Sequence, residues 1–532
     1  MSDNKKQNYL HGAAILTFGV VIIKILGAIY KIPMGNILGD EGFGIFNTAY
    51  NVYNVFLTIA TAGFPVALSR MISSANTLGR RAQAKRTMTV ALVTFALIGL
   101  VGSILMAVFH TELAVFMELP VASQSIAAVA PSVFLCCLLG AYRGFCQGHG
   151  NMTPTMVGQV LEVLAKVAVG ICLAIILTNQ GKSLPISSAG AIFGVVVGSL
   201  VALLYMVWYK RRNYSYKSEE ATDTPDKSSD IFKELVRIGV PITLGACVMS
   251  VFTLIDNKLV LYQLGELGYN AEEAGVLYGV YSKAMTLYNL PAAFITPLTI
   301  SVVPSVAACV AAKKHAESCE IGESSVRISA IIALPMGIGL SVLSYPIMNV
   351  LYPDSHASGG TLLMYMGIAS IFVCLALISN AVLQAHGNEK FTVVSMIVGG
   401  IVKIGVNWVL VGNPEINIVG APIGTLCCYV VMCLMNYGFM CKCMEIRPSI
   451  KRMLLRPVVS CLIMGAATWA VYGLASLVLG EGWMRMALAM LCSVAVAVVV
   501  YLVLIIVTRA VTLEDMKLIP KGEKLAKLLH IR

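Results

Sequence analysis

Residues 483–508 read WMRMALAMLCSVAVAVVVYLVLIIVT. After Arg485 this stretch has no charge, and its only hydroxyls are those of Ser493, Tyr501 and Thr508. It is long enough to cross a hydrocarbon core, which takes about 20 apolar residues as a helix. It shows none of the apolar–polar alternation of a membrane β-strand. Runs of the same kind recur from Gly12 onward with short breaks. Over the whole chain of 532 residues, 58 % are hydrophobic and only 12 % charged. A soluble domain cannot hide that much apolar surface, so the excess faces lipid. The fold class is an all-α membrane protein.

Fourteen spans follow: 10–34, 43–70, 87–109, 121–145, 155–178, 187–209, 236–264, 275–311, 326–351, 361–385, 391–412, 417–440, 453–479 and 483–508. Prolines such as Pro33, Pro65, Pro291 and Pro335 lie in or beside them. Such breaks are tolerated where neighbouring helices surround them. The net charge of +11 is a topological signal and not a nucleic-acid footprint. Thirty of the 38 Lys and Arg fall in segments that share a side with both termini. The opposite loops hold Lys31, Lys182 and Arg485 and are otherwise acidic. The positive-inside rule places both termini in the cytoplasm of a bacterial cell membrane.

The chain repeats itself. Cys146-Gln147-Gly148-His149-Gly150-Asn151 returns as Leu383-Gln384-Ala385-His386-Gly387-Asn388. Lys166 and Lys403 then stand at the same offset, and Gly190, Ala191 and Gly194 match Gly420, Ala421 and Gly424. Six spans per repeat is an even number, so two six-helix lobes of like orientation are expected, as parallel repeats. The expected division is an N-lobe at 1–209, a polar cytoplasmic linker at 210–234 and a C-lobe at 235–443. Two extra helices occupy 444–510, and 511–532 forms a basic amphipathic tail on the inner leaflet.

Seven charged residues fall at membrane depth: Lys24, Glu162, Lys166, Asp256, Lys258, Lys283 and Lys403. A lone charge at mid-bilayer costs about 2.5–3.5 kcal/mol even on the lenient insertion scale. Five of the seven are lysines, so the interior is net positive and suited to an anion. Lys31 lies on the same helical face as Lys24. Asn47, Asn51 and Asn54 form a polar stripe at helical spacing. Glu162 and Lys166 are spaced to pair with each other. Glu162 and Asp256 are also the buried acids able to couple an ion. The repeated turns Gln147, His149, Asn151 and Gln384, His386, Asn388 read as structural turns or as gates at helix ends. No metal-ligand spacing surrounds the histidines, and the fifteen cysteines read as small apolar residues in packed helices. No cofactor motif is present.

Gly42-Phe43-Gly44-Ile45-Phe46 with Tyr50-Asn51-Val52-Tyr53-Asn54 resembles the polysaccharide-transport and stage V sporulation protein B family. That family is similar to the MurJ-type lipid II flippases of the multidrug/oligosaccharidyl-lipid/polysaccharide flippase superfamily. Phe64-Pro65, Ser69-Arg70, the 147–151 turn and Leu518-Ile519-Pro520-Lys521-Gly522 share the resemblance. It implies a monomeric transporter with two lobes, a central cavity and alternating access. It also implies a lipid-linked pyrophosphate substrate held by Lys24, Lys31, Lys166, Lys258, Lys283 and Lys403. The last two spans would be a groove for the polyprenyl tail, and cell-wall or sporulation machinery would be the partner. A cation-coupled multidrug exporter of the same superfamily is the alternative reading, and a polyprenol-dependent glycosyltransferase is a third. Short outer loops without clustered acids speak against the enzyme.

Overall fold

A computed structural model describes residues 3–214, 223–443, 449–480 and 482–508, without the side chains of residues 3–25, 28, 29, 249 and 452. Every regular element among the described residues is helical. The helices are α1 (Asp3–Thr61), α2 (Phe64–Thr77), α3 (Arg81–Val108), α4 (His110–Phe116), α5 (Ser123–Gly148), α6 (Thr153–Asn179) and α7 (Leu184–Asn213). There follow α8 (Ser228–Glu266), α9 (Ala271–Tyr288), α10 (Leu290–Ala311), α11 (His315–Val342), α12 (Ser344–Leu351) and α13 (Gly359–Ala385). The chain ends with α14 (Glu389–Val411), α15 (Gly420–Cys443), α16 (Arg456–Leu479) and α17 (Trp483–Val507).

Thirteen described segments are long and apolar enough to span a bilayer. The expected first span lies in the N-terminal half of α1, mostly outside the described side chains. The protein is a multi-pass membrane protein. Its outward faces carry Leu204, Trp469, Leu477 and Val478 among many exposed apolar side chains, which only lipid can cover.

Three expected spans differ in detail. The segment 10–70 is one long α1 bent at Gly39, with φ 69° and ψ −170°, followed by α2 after a break at residues 62–63. The span expected at 275–311 is two helices, α9 and α10, interrupted at Asn289 ahead of Pro291. The linker expected at 210–234 is much shorter, since α7 runs to Asn213 and α8 starts at Ser228. Residues 215–222 and the tail 511–532 lie outside the described residues.

The repeat is visible in the elements. α3, α4, α5, α6 and α7 return in order as α11, α12, α13, α14 and α15, each displaced by about 230–237 residues. The repeated turns are alike to the hydrogen bond. His149 Nδ1 bonds Phe145 O at 2.9 Å, and His386 Nδ1 bonds Val382 O at 2.8 Å. Gly150 and Gly387 take φ 75° and 74°. Asn151 N and Asn388 N then return to the carbonyls of Cys146 and Leu383, both at 3.1 Å. Each is a helix C-cap that glycine permits and that satisfies carbonyls the helix leaves open.

The chain divides into two compact units, Met1–Gly279 and Val280–Arg532. The first extends past the expected lobe boundary because α8 packs on α1, α2 and α3. Its core holds Tyr30, Met34, Phe43, Phe46, Phe95 and Phe145. Backbones approach closely where glycine allows. A Cβ on Gly44 would strike the Gly275 carbonyl, and one on Gly279 the Asp40 carbonyl. The segment before α8 is fastened to the start of α3. Asp223 accepts from the amides of Ala82 (2.7 Å) and Gln83 (3.0 Å), capping that helix. Asp226 accepts from Arg80 at 2.9 Å and Gln83 Nε2 at 2.9 Å. Desolvation pushes the Asp223 carboxyl up, but the two amides and nearby Arg80 outweigh it and hold it below its ordinary value.

The second unit buries Val306, Ala330, Ile378, Val382 and Cys461 in its core. Here α16 packs on α11 and α17 on α16. Trp483 Nε1 donates to Val350 O at 3.1 Å, and Tyr501 Oη donates to Ile331 O at 2.6 Å. The repeat also has its own fastening: Glu323 on α11 accepts from the Ser449 amide at 2.5 Å, where the chain leaves α15 for α16.

Candidate anion site within the spans

The bend at Gly39 creates the site. On a straight helix, residues 16 apart stand about 24 Å apart along the axis. Here Lys31 Nζ lies 3.3 Å from Asn47 Oδ1, 16 residues on. The ring of Tyr30 likewise meets that of Phe46, with centroids 6.5 Å apart. α1 therefore folds its two halves against each other. Asn47 is oriented by donating its Nδ2 to Phe43 O at 3.0 Å, which leaves its carbonyl oxygen for the lysine.

The second half of α1 carries a ladder of rings at helical spacing, Phe43, Phe46, Tyr50 and Tyr53. Tyr50 is the meeting point. Lys31 Nζ stands 5.5 Å from its ring centroid, and Lys166 Nζ of α6 stands 5.8 Å from it. Lys166 is also 5.8 Å from the Tyr30 ring. Two ammonium groups from different helices thus share one tyrosine ring. Among the described residues neither has an ion-pair partner. Cation–π contact offsets part of their desolvation, about 0.5–2 kcal/mol each. Two ammonium groups gathered at one aromatic ring are able to bind an anion.

Glu162 is not the partner of Lys166 that the spacing predicts. It is held by Arg143 at 2.6 Å, with a weak contact from Ser199 Oγ at 3.4 Å. Arg143 lies within α5 and not in a loop. From Ser199 a buried polar chain continues to Cys136 Sγ at 3.2 Å and Tyr53 Oη at 3.4 Å. The close approach of α6 and α7 positions these groups. A Cβ on Gly198 would meet Glu162 O at 2.5 Å, and one on Gly194 would meet Lys166 O at 2.7 Å. In the second unit a Cβ on Gly424 would instead strike the Asn407 side chain.

The other expected residues are dispersed. The Lys24 side chain lies outside the described residues. Lys258 stands over the Phe116 ring at 3.7 Å and pairs with Glu118 at 3.9 Å, beside the α4–α5 connection. Its charge is thus partly answered. Asp256 is buried at 4 % exposure. Asn51 donates to Tyr278 Oη at 2.9 Å, and Thr58 and Ser250 share a bond of 2.8 Å, so the polar stripe binds α1 to α9 and α8. Asn54 contributes its carbonyl, which Thr58 Oγ1 bonds at 2.7 Å. In the second unit, Lys283 is 2 % exposed with Nζ 4.9 Å from the Tyr352 ring, and Lys403 is half-buried. Gln147 and Gln384 serve through their carbonyls, which accept from the glycines of the two turns. Sequence reasoning missed Tyr30, Tyr50 and Arg143. Tyr50 was readable as the ring one helical turn from Asn47.

The second unit also holds an apolar groove of about 400 Å³. It is lined by Pro335, Met336 and Leu340 of α11, Met464 and Thr468 of α16, and Val498 of α17, among others.

Comparison with known proteins agrees with this architecture. The chain is 27 % identical over 529 residues to the uncharacterized membrane protein YabM of Bacillus subtilis, covering 98 % of this chain and 96 % of that one. It is 25 % identical over 523 residues to the lipid II flippase MurJ of B. subtilis, covering 93 % and 94 %. It is 24 % identical over 526 residues to stage V sporulation protein B of the same organism, covering 97 % and 98 %. Among solved structures, an inward closed conformation of the lipid II flippase MurJ superposes with a TM-score of 0.68 at 14 % identity, covering 92 % of this chain and 98 % of that one. An inward-facing MATE transporter of the MOP superfamily gives 0.64 at 16 % identity, covering 81 % and 98 %. At such identities the likeness is one of fold. Residues 9–310, more than half of the chain, match the sequence profile of the polysaccharide biosynthesis protein family, and to that family the chain belongs.

Proposed function

We propose that the protein is a flippase, not an enzyme, that moves a polyprenyl-pyrophosphate-linked cell-wall precursor from the cytoplasmic to the outer leaflet by alternating access. The observation that carries this reading is the convergence of Lys31 and Lys166 on Tyr50. Two ammonium groups without acids cost several kcal/mol at membrane depth. A pyrophosphate offsets that cost, and lysine serves it as a point charge. Lys283 and Lys403 supply the corresponding charge in the second unit. The groove at α16 and α17 has the apolar lining a prenyl tail needs. Similarity to proteins named as lipid II flippases supports the substrate class. The same superfamily fold exports drugs, but two ammonium groups repel a cationic drug.

The test is complementation of a strain lacking its lipid II flippase, with folded protein in the membrane quantified in parallel. Lys31→Ala with Lys166→Ala should abolish growth, whereas both lysines replaced by arginine should retain it. Val498→Trp, which fills the groove, should impair growth independently. Normal growth of the well-expressed double alanine variant refutes the anion site. Dye resistance without complementation by the unaltered protein favours the exporter.

A further inference from the structure

A second groove lies in the first unit, between α3 and α8. Its volume is about 560 Å³, and it is lined by Thr89, Val90, Val93, Thr94, Leu97 and Ile98 of α3 with Ser228, Phe232 and Val236 of α8. The two threonines do not make it polar. Thr89 Oγ1 bonds Lys85 O at 3.1 Å, and Thr94 Oγ1 bonds Val90 O at 2.9 Å. From Thr89 to Ile98 the wall is about 13.5 Å long at 1.5 Å per residue. That is close to the depth of one leaflet, about 15 Å of hydrocarbon.

The mouth of this groove is basic. Arg86 stands one helical turn before Thr89 and Val90, with Nε 3.2 Å from Ser228 Oγ on the opposite wall. Residues 80–86 and 223–237 hold seven Lys and Arg against four Asp and Glu. Two of those acids, Asp223 and Asp226, are already occupied by the α3 amides, Arg80 and Gln83.

We propose that this groove binds one acyl chain of an anionic phospholipid, with its phosphate on Arg86. The lipid braces the start of α8 against α3, beside the Asp223 clamp. Neither the pyrophosphate site nor the transported lipid takes part.

Full-length protein in nanodiscs of phosphatidylcholine, with or without phosphatidylglycerol, provides the test. Native mass spectrometry after release counts retained lipid. Phosphatidylglycerol should be retained in preference to phosphatidylcholine. Arg86→Gln should lower its retention roughly tenfold, the worth of a hydrogen bond to a charged group. Val93→Trp and Leu97→Trp should each displace it. Both positions are more than half exposed, at 57 % and 59 %, so neither change disturbs the core. Lys314→Gln, a basic residue remote in sequence and paired with Glu317, should leave retention unchanged. Equal retention of the two lipids, or undiminished phosphatidylglycerol on the tryptophan variants, overturns the proposal. So does a photo-crosslinker at position 93 that captures another membrane protein in place of lipid.

Discussion

Gly39 is the residue on which the proposed anion site depends. Its φ of 69° with ψ of −170° belongs to a region that is essentially glycine-only and costs other residues about 1–3 kcal/mol. A Cβ at this position meets nothing within 4 Å. Gly39→Ala therefore tests backbone conformation with no steric clash to confuse it. The strain is relieved only if the bend opens, and opening separates Lys31 from Asn47 and Tyr30 from Phe46. At about 1.4 kcal/mol per factor of ten, the bent form should lose roughly 5- to 150-fold in population. Gly27→Ala on the same helix is the control, because its Cβ also meets nothing and its φ is not positive. That change should stabilise by roughly 0.5–1 kcal/mol, the ordinary gain of replacing glycine in a helix.

The assay is proximity. In a background without native cysteines, Lys31→Cys and Asn47→Cys should crosslink through a short bifunctional reagent when residue 39 is glycine. With alanine at 39 the crosslink should fall sharply, and the thermal unfolding midpoint should drop. Undiminished crosslinking and an unchanged midpoint in Gly39→Ala would falsify the claim that the bend assembles the site.

Four further outcomes are expected. Arg143→Met should destabilise by about 3 kcal/mol, less than a fully buried pair loses because both side chains keep about a fifth of their exposure; adding Glu162→Gln should recover most of it in a double-mutant cycle, unless Glu162 draws its stability from elsewhere. Gly279→Ala, whose Cβ strikes the Asp40 carbonyl, should cost about 1–3 kcal/mol in thermal unfolding, and Gly245→Ala, which meets nothing, should not. Asp223 is held below its ordinary pKa, so its contribution is present at neutral pH and is lost only as pH falls through the lowered value; hydrogen exchange at the amides of residues 82 and 83 should stay slow from pH 8 to 5 and accelerate in Asp223→Asn at every pH. Cysteine labelling should reach position 115 from outside and position 224 only from inside, and the opposite pattern refutes the cytoplasmic termini.

What was legible in the sequence followed the range of the physics involved. Hydropathy is local, so spans such as 483–508 and the 147–151 turn with its repeat at 384–388 were readable from the residues themselves. The bend at Gly39 was not, because glycine permits a positive φ without requiring one, and the same residue would sit in a straight helix. The contact of Lys31 with Asn47 depends wholly on that bend. Arg143 falls inside the span expected at 121–145, where α5 continues to Gly148, but the sequence does not show which helix its guanidinium reaches. The i, i+4 spacing of Glu162 and Lys166 was real, yet spacing reports only neighbours on one helix. The guanidinium that holds Glu162 at 2.6 Å comes from α5, a helix that spacing along α6 cannot report.

The fastening of the polar stretch before α8 was hidden for a related reason. Its composition, rich in Ser, Thr, Asp and Lys, is what a mobile linker needs, but it is equally what a helix cap needs. Composition cannot separate these, since the decisive partners, the amides of Ala82 and Gln83, lie 141 and 140 residues away. Glu323 and Ser449 make the analogous fastening in the second unit. Each repeat thus ties the chain leaving its sixth span to the start of its third. Under the proposed alternating access, such a tie would make the departing segment move with a helix and not independently of it. Loss of the Asp223 cap should therefore weaken transport more than it weakens folding, which complementation and thermal unfolding of Asp223→Asn measure side by side. Equal loss of both would reduce the clamp to a matter of stability.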